Sequence, residues 1–346
     1  MTISLNVGQT VVNPVLIEVT RGSRVESRHR GAIAVFDANG RCVFSAGDID
    51  EPVFPRSAVK AIQALPLIES GAADAYGFGN RELALAQASH GGEPDHVAIA
   101  AAMLKAAGLD ESALECGRQW PTHSASAAAL SAVGEKPSTL HNNCSGKHAG
   151  FLAVARHSGF STEGYVKPDH PVQRLVRDAL ESVTGAAHLA DDCGIDGCSI
   201  PTYAVPLTAL ANGFARFGSG RGLTPERAAA ARRIFDAAIA EPCYIAGTGR
   251  FCSEAITAMN GAALVKTGAE GVFCGTVPNA NLGIAIKCDD GASRAAETVM
   301  ANLLLVLGRQ DNATLRKWAN PPLLNRRGIR IGEIRLAEGA LAGLRP

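Results

Sequence analysis

Strand-type patterning stands at both ends of this chain and helix-type patterning fills the middle, which limits the folds open to it. Val11 to Val19 alternates between apolar and polar residues, and Ala32 to Phe36 and Cys42 to Ser45 flank Asp37-Ala-Asn-Gly40, the composition of a hairpin turn. Helix-period apolar positions then run through Glu82 to Ala88, His96 to Ala107, Val172 to Val183, Leu207 to Phe217 and Pro225 to Ala240, with an alanine-rich helix over Ala125 to Ala132. Loops rich in Gly, Pro, Ser and Asn separate them. Strand character returns at Ala262 to Lys266, Gly271 to Val277 and Gly283 to Lys287, followed by a helix from Ala292 to Leu307 and a last strand from Gly328 to Leu336. The pattern predicts an α/β chain of the α+β kind. One mostly antiparallel sheet is built from the N- and C-terminal strands and flanked by helices, with a helical region inserted. No biased linker or repeat divides it, so residues 1–346 read as a single domain. The chain lacks the regular alternation of a doubly wound sheet, and no G-x-G-x-x-G or Walker sequence opens a helix after a strand, so little supports nucleotide binding.

Composition narrows the partners. Of 346 residues 47% are hydrophobic and 19% charged, enough for a large core. Lys plus Arg and Asp plus Glu each number 33, with no basic run carrying interleaved aromatics, which argues against nucleic acid or an anionic membrane as the main partner. The opening MTISLNVGQTVVNPVLIEV lacks the basic start and apolar core of a signal peptide, and no apolar run reaches membrane-spanning length. A soluble, cytoplasmic protein is expected. Nine cysteines, an odd number in a long chain, argue against a disulfide framework.

Phe54 to Leu67, FPRSAVKAIQALPL, holds the strongest chemical signal. Pro55 disfavours a helix before it, and AVKAIQAL continues with good helix formers, so Ser57 falls in the first turn and Lys60 one turn on. Residues at i and i+3 share a face, within hydrogen-bond reach. A desolvated lysine can be neutral enough to take a serine's proton, and free amides at a helix start favour developing negative charge. Alone, Ser-x-x-Lys is a frequent chance match and such a serine is more often an N-cap. Ala88-Ser89-His90-Gly91-Gly92 has the composition of a loop that can approach a ligand, and Lys266-Thr267-Gly268 ends an apolar strand. A solvated lysine closing a strand is the simpler account of the latter by itself. Asn142-Asn-Cys-Ser-Gly-Lys-His148 and Cys193-Gly-Ile-Asp-Gly-Cys198 set thiols among glycines and polar residues. By residue type they suggest zinc on Cys144 and Cys198, completed by Cys193, His148 or Asp196, although no compact C-x-x-C is present.

Ser57-x-x-Lys60, Ser89 and Lys266-Thr-Gly268 run in the order of the S-x-x-K, S-x-N and K-T-G elements of serine β-lactamases and penicillin-binding proteins, departing at the second, where Ser89-His-Gly stands. With no signal peptide, a cytoplasmic relative that cleaves a small amide fits both facts. The chain resembles the thermolabile L-asparaginase family of rhizobia, asparaginase II. The likeness runs from about Val19 to the last strand and rests on dispersed motifs. These are Arg56-Ser-Ala-Val-Lys60, Ala88-Ser-His90, Asn143-Cys-Ser-Gly-Lys-His148, Pro168-Asp-His-Pro171, Asp196-Gly-Cys198, Pro201-Thr202, Gly249-Arg250, Cys252 and Ala263-Leu-Val265 with Lys266. The resemblance implies a serine β-lactamase-like fold, a homodimer, and hydrolysis of L-asparagine to L-aspartate and ammonia. It further implies two Ser-Lys tandems, Ser57 (the nucleophile) with Lys60 and Ser89 with Lys266. It implies zinc on Cys144, Cys198 and Lys147, a lysine ligand that metal chemistry alone would not select. Arg56 and His90, beside the two serines, are the expected substrate contacts, although Arg56 can equally be structural. Two enzyme alternatives remain, a glutaminase and a β-lactam-type acyl transferase. A non-catalytic zinc or amino-acid-binding protein is an alternative of another class.

Overall fold

The computed structural model describes residues 12–308 and 312–345. The Val11 start of the first expected strand lies outside them, and the strand itself spans Val15–Arg21. The Asp37 turn forms as its composition predicts: Asp37 Oδ1 accepts the N–H groups of Asn39 and Arg41 at 2.9 and 3.0 Å. Gly40 sits at φ 84°, where a residue without Cβ is favoured. The turn joins the long Arg24–Asp37 strand to Cys42–Ala46.

All strand pairs of the main sheet are antiparallel. Its order is Pro322–Leu324, Arg330–Leu336, Val15–Arg21, Arg24–Asp37, Leu282–Cys288, Val272–Val277 and Leu264–Thr267, with Cys42–Ala46 on Arg24–Asp37 off this path. The two ends of the chain therefore meet inside one sheet, Ile17 pairing with Leu336. Arg24–Asp37 changes partners midway: Arg30 faces Val15, whereas Gly31 faces Cys288. A side chain at Gly31 would collide with the Lys287 carbonyl.

Helices cover both faces. On one, Gly283 lets the Leu207–Ser219 helix approach until any Cβ would strike Ala211 O, and Gly218 packs against Thr276. On the other, the Ser293–Leu307 helix brings Met300 within 3.4 Å of a Cβ built at Gly275. Because strand side chains alternate, Lys266, opposite Cys274, shares the face of Thr276 and Gly283. Lys266 thus points toward the inserted helical region. Within that region the Ser145–His157 helix is buried over nearly its whole length, with Gly146 against the Leu85 backbone. Observed helices match the expected ones within a few residues: Asn80–Ala86, Pro94–Ala106, Ser124–Ala132, Pro171–Thr184 and Pro225–Ala240. Around Ser57 the expected single helix is instead a 3-10 turn, Arg56–Val59, then the short helices Lys60–Gln63 and Leu65–Glu69. Pro66 has no N–H to continue the ladder, so the helix restarts there.

Candidate active site

Ser57 lies in a tight turn in which Ala58 N–H bonds Pro55 O at 3.0 Å and Lys60 N–H bonds Ser57 O. Arg56, just before it, holds a left-handed φ of 51°, a conformation costly for a residue with a side chain. Its Nε donates to Asp196 Oδ1 at 2.6 Å, an anchor that over-determines the turn. The Asp196 carboxyl resists the upward push of burial because Lys147 and Arg56 hold it low. Arg56 is thereby tied to the protein. The end of the Leu264–Thr267 strand closes on this turn, since a Cβ at Gly268 would lie 2.6 Å from Pro55 O.

The Lys60 side chain is completely buried and donates to Ala88 O at 2.6 Å and to Ser89 Oγ at 3.0 Å. Among the described residues it makes no hydrogen bond to Ser57 Oγ, the contact that the i, i+3 spacing predicts. A buried ammonium needs several acceptors, and the Ala88-Ser89 segment supplies two, whereas Ser57 stands half-exposed. Ser89 is fixed by its N–H to Ile245 O at 2.9 Å. The same Oγ accepts from Lys266 Nζ at 2.7 Å, and Lys266 also donates to Thr267 O at 3.0 Å. Burial, then the nearby charge of Lys60, pushes Lys266 down to about 7. A lysine that is part-neutral near pH 7 and bonded to a hydroxyl can exchange protons with it.

His90, 1% exposed, is drawn into a different network. Gly92 N–H donates to its Nδ1 at 3.2 Å, so Nε2 carries the proton and donates to Ser145 Oγ at 2.9 Å, and Ser145 in turn donates to Leu140 O at 2.8 Å. Burial holds the ring neutral, and both nitrogens are occupied.

Lys147 Nζ donates to Cys198 Sγ at 3.3 Å, while the nearby Cys144 thiol donates to Asn143 Oδ1 at 3.0 Å. The two cysteines bear on each other, holding Cys198 down to about 5 and Cys144, with burial, up to about 12. Burial opposes the charge of Lys147, but the Cys198 and Cys144 sulfurs outweigh it and raise the amine. The other candidates for a metal ligand go elsewhere. Cys193 Sγ turns to Gly194 O, His148 Nδ1 bonds Tyr165 Oη at 2.8 Å, and Asp196 holds Arg56. Among the described residues no three His, Cys, Asp or Glu side chains converge on one point. Two cysteine sulfurs, ligands of the kind zinc takes, meet there with one amine that must shed its proton to join them, leaving a fourth position open. The sulfur and serine clusters adjoin, for the Lys60 charge bears on both Cys144 and Cys198. Cys116 turns its thiol to Thr139 O, and burial, with a lesser push from Cys144 and Cys198, raises it to about 12. The role of Ala88 is silent in sequence, because it acts through its carbonyl.

Fold and site together define a mixed α/β protein with a serine held between two lysines, buried against the margin of an antiparallel sheet. A family model described as L-asparaginase II matches residues 17–336, and the chain belongs to that family, which places it among amidohydrolases. No curated protein matches it. Among solved structures it is similar to a β-lactamase from Mycobacterium bovis, at 14% identity over 80% of this chain and 94% of that one, with a TM-score of 0.39. It is also similar to a protein titled Mglu, at 17% identity over 87% of this chain and 73% of that one, with a TM-score of 0.38.

Proposed function

We propose that this chain hydrolyses the side-chain amide of L-asparagine to L-aspartate and ammonia, with Ser57 as nucleophile. The observation that supports the reading is the single hydroxyl of Ser89 bridging the Nζ atoms of Lys60 and Lys266. When Lys266 is neutral, the Lys60 ammonium can pass a proton through Ser89 to Lys266, which leaves Lys60 free to take the proton of Ser57. Ser57 Oγ then bonds the amide carbon, and backbone N–H groups at the start of the turn stabilise the oxyanion. The protonated lysine returns its proton to the departing nitrogen, releasing ammonia and leaving an aspartyl ester. Water, deprotonated by the same relay, releases L-aspartate. Cys144, Lys147 and Cys198 would hold zinc, and a bound zinc supplies fixed positive charge beside the Ser57 turn that favours an anionic substrate group.

A second reading makes Ser89 the nucleophile, favoured by its two lysine contacts against none for Ser57. Ammonia release from L-asparagine and L-glutamine, measured for the wild type and Ser57→Ala, tests the first. Asparagine-selective release that drops at least a thousandfold in the variant is expected. Acid-quenched protein, digested and weighed, then shows which serine carries the aspartyl group. Label on Ser89 would transfer the role, and near-normal turnover in Ser57→Ala would exclude Ser57.

A further inference from the structure

The Cys193–Ile195 and Pro201–Tyr203 strands pair with Cys193 opposite Tyr203, Gly194 opposite Thr202 and Ile195 opposite Pro201. Side chains alternate across such a ribbon, giving it two faces. Gly194 looks toward the Ser57 segment, where a Cβ would lie 3.3 Å from the Phe54 ring. Cys193, Ile195, Pro201 and Tyr203 fall on the opposite face, and all four line a cavity of about 410 Å³. The hairpin is a partition with the Phe54 segment in front and this cavity behind. The turn of the hairpin carries Asp196 and Cys198.

The cavity has the size and make-up of a small-molecule site, mostly apolar with a few polar groups. Val166 and Ala190 add to its apolar wall, and two cations, Lys167 and Arg177, enter the lining without any Asp or Glu. Among the described residues neither cation forms an ion pair. Arg177 lies close to Tyr203, a side chain only 5% exposed, and its charge counters part of the burial that raises that phenol. Ser199, which also lines the cavity, follows Cys198 directly and holds a left-handed φ of 76°. Ile195, 84% exposed, stands at the rim.

We propose that this cavity is a second ligand site, taking a small organic monoanion with an apolar body whose charged group is held by Arg177 and Lys167. The chemistry differs from that of asparagine, which is zwitterionic and polar and matches little of this lining. Arg177, half-buried in an otherwise apolar concavity and without an ion pair, calls for one acidic group, which the exposed Lys167 can meet from the rim, and the apolar wall calls for a hydrocarbon remainder.

Isothermal calorimetry with phenylacetate and its neutral counterpart phenylacetamide tests the assignment. Phenylacetate is expected to bind saturably at one site per chain, with phenylacetamide about tenfold weaker or more, the worth of a charge-assisted contact. Arg177→Gln and the exposed Lys167→Gln should each weaken phenylacetate and narrow its preference over the amide, and Ala190→Trp, which fills the cavity, should abolish both. Bound phenylacetate should also slow alkylation of Cys193, read by peptide mass. Equal affinity for acid and amide, or phenylacetate binding unchanged in both charge variants, would overturn the proposal. So would a Cys193 already closed to alkylation in the wild type and opened in Ile195→Asp as the chain becomes monomeric, for a second copy would then cover the cavity.

Discussion

Ser89 Oγ is shared by two lysines that reach it from opposite sides of the sequence, one 29 and the other 177 residues away. Lys266 is the member whose charge is most easily removed, and two consequences follow from its low value of about 7. If the relay needs it neutral, kcat/KM should climb about tenfold per pH unit below an inflection near 7 and level off above it. A pH profile flat from 5 to 9 would count against the relay, and Lys266→Met should cost about two to four orders of magnitude in kcat. Stability has its own sign. The folded value lies below the unfolded lysine's, so between about 7 and 10.5 the unfolded chain binds the extra proton and stability rises with pH. Thermal melts of Lys266→Met against the wild type should therefore show the largest gain for the variant near pH 6, shrinking toward pH 10. At this scale the sequence was legible for residue types and for the Ser57-x-x-Lys60 spacing. It was silent on who bonds whom. Spacing placed Lys60 near Ser57, but the demand of a buried ammonium for acceptors, invisible without the fold, sent it to Ala88 and Ser89. His90 likewise read as a loop residue able to meet substrate, yet the Gly92 N–H took one ring nitrogen and Ser145, on the buried helix, the other.

At the level of elements, the site exists because a strand end, a turn and a buried helix meet. Gly268 is the point of closest approach of strand and turn, with room for hydrogen only. Gly268→Ala should push the Leu264–Thr267 strand off the Ser57 turn and lower kcat/KM by about a hundredfold, the order expected of an ångström-scale displacement. Melting temperature should change little by comparison, and unchanged kinetics would mean that the two elements can slide without consequence. Zinc, if held as proposed, joins the Ser145–His157 helix to the hairpin turn at Cys198. Elemental analysis of the purified protein should find about one zinc per chain, lost in Cys144→Ala and in Cys198→Ala. Unchanged metal in both would remove these ligands. Elements were the most legible level, because helix and strand periods survive in a single sequence. Pro225 to Ala240 is helical as marked, and the Asp37 hairpin forms where its turn residues stand. The segment after Ser57 was misjudged for a local reason, the missing N–H of Pro66.

For the molecule as a whole, pattern at the two ends was enough to foresee a sheet shared between the termini, because only pairing could bury so many strands in one core. Among the described residues no helix is long and apolar enough to cross a membrane. The expected dimer is a matter for solution: sedimentation equilibrium should return about twice the 35.8 kDa chain mass, and a single chain mass would refute it.

Ile17 lies opposite Leu336 in the sheet, and that pairing sets a timetable. As the chain leaves the ribosome, the Val15–Arg21 strand can pair at once with Arg24–Asp37 on one edge, but its partner on the other edge, Arg330–Leu336, emerges about three hundred residues later. Through that interval the nascent protein carries an open strand edge and a half-roofed core, while the helical insert can already settle on itself. Birth, more than maturity, is therefore when this architecture is most exposed to misassociation, and a stalled or prematurely released chain would lack the strand that seals it.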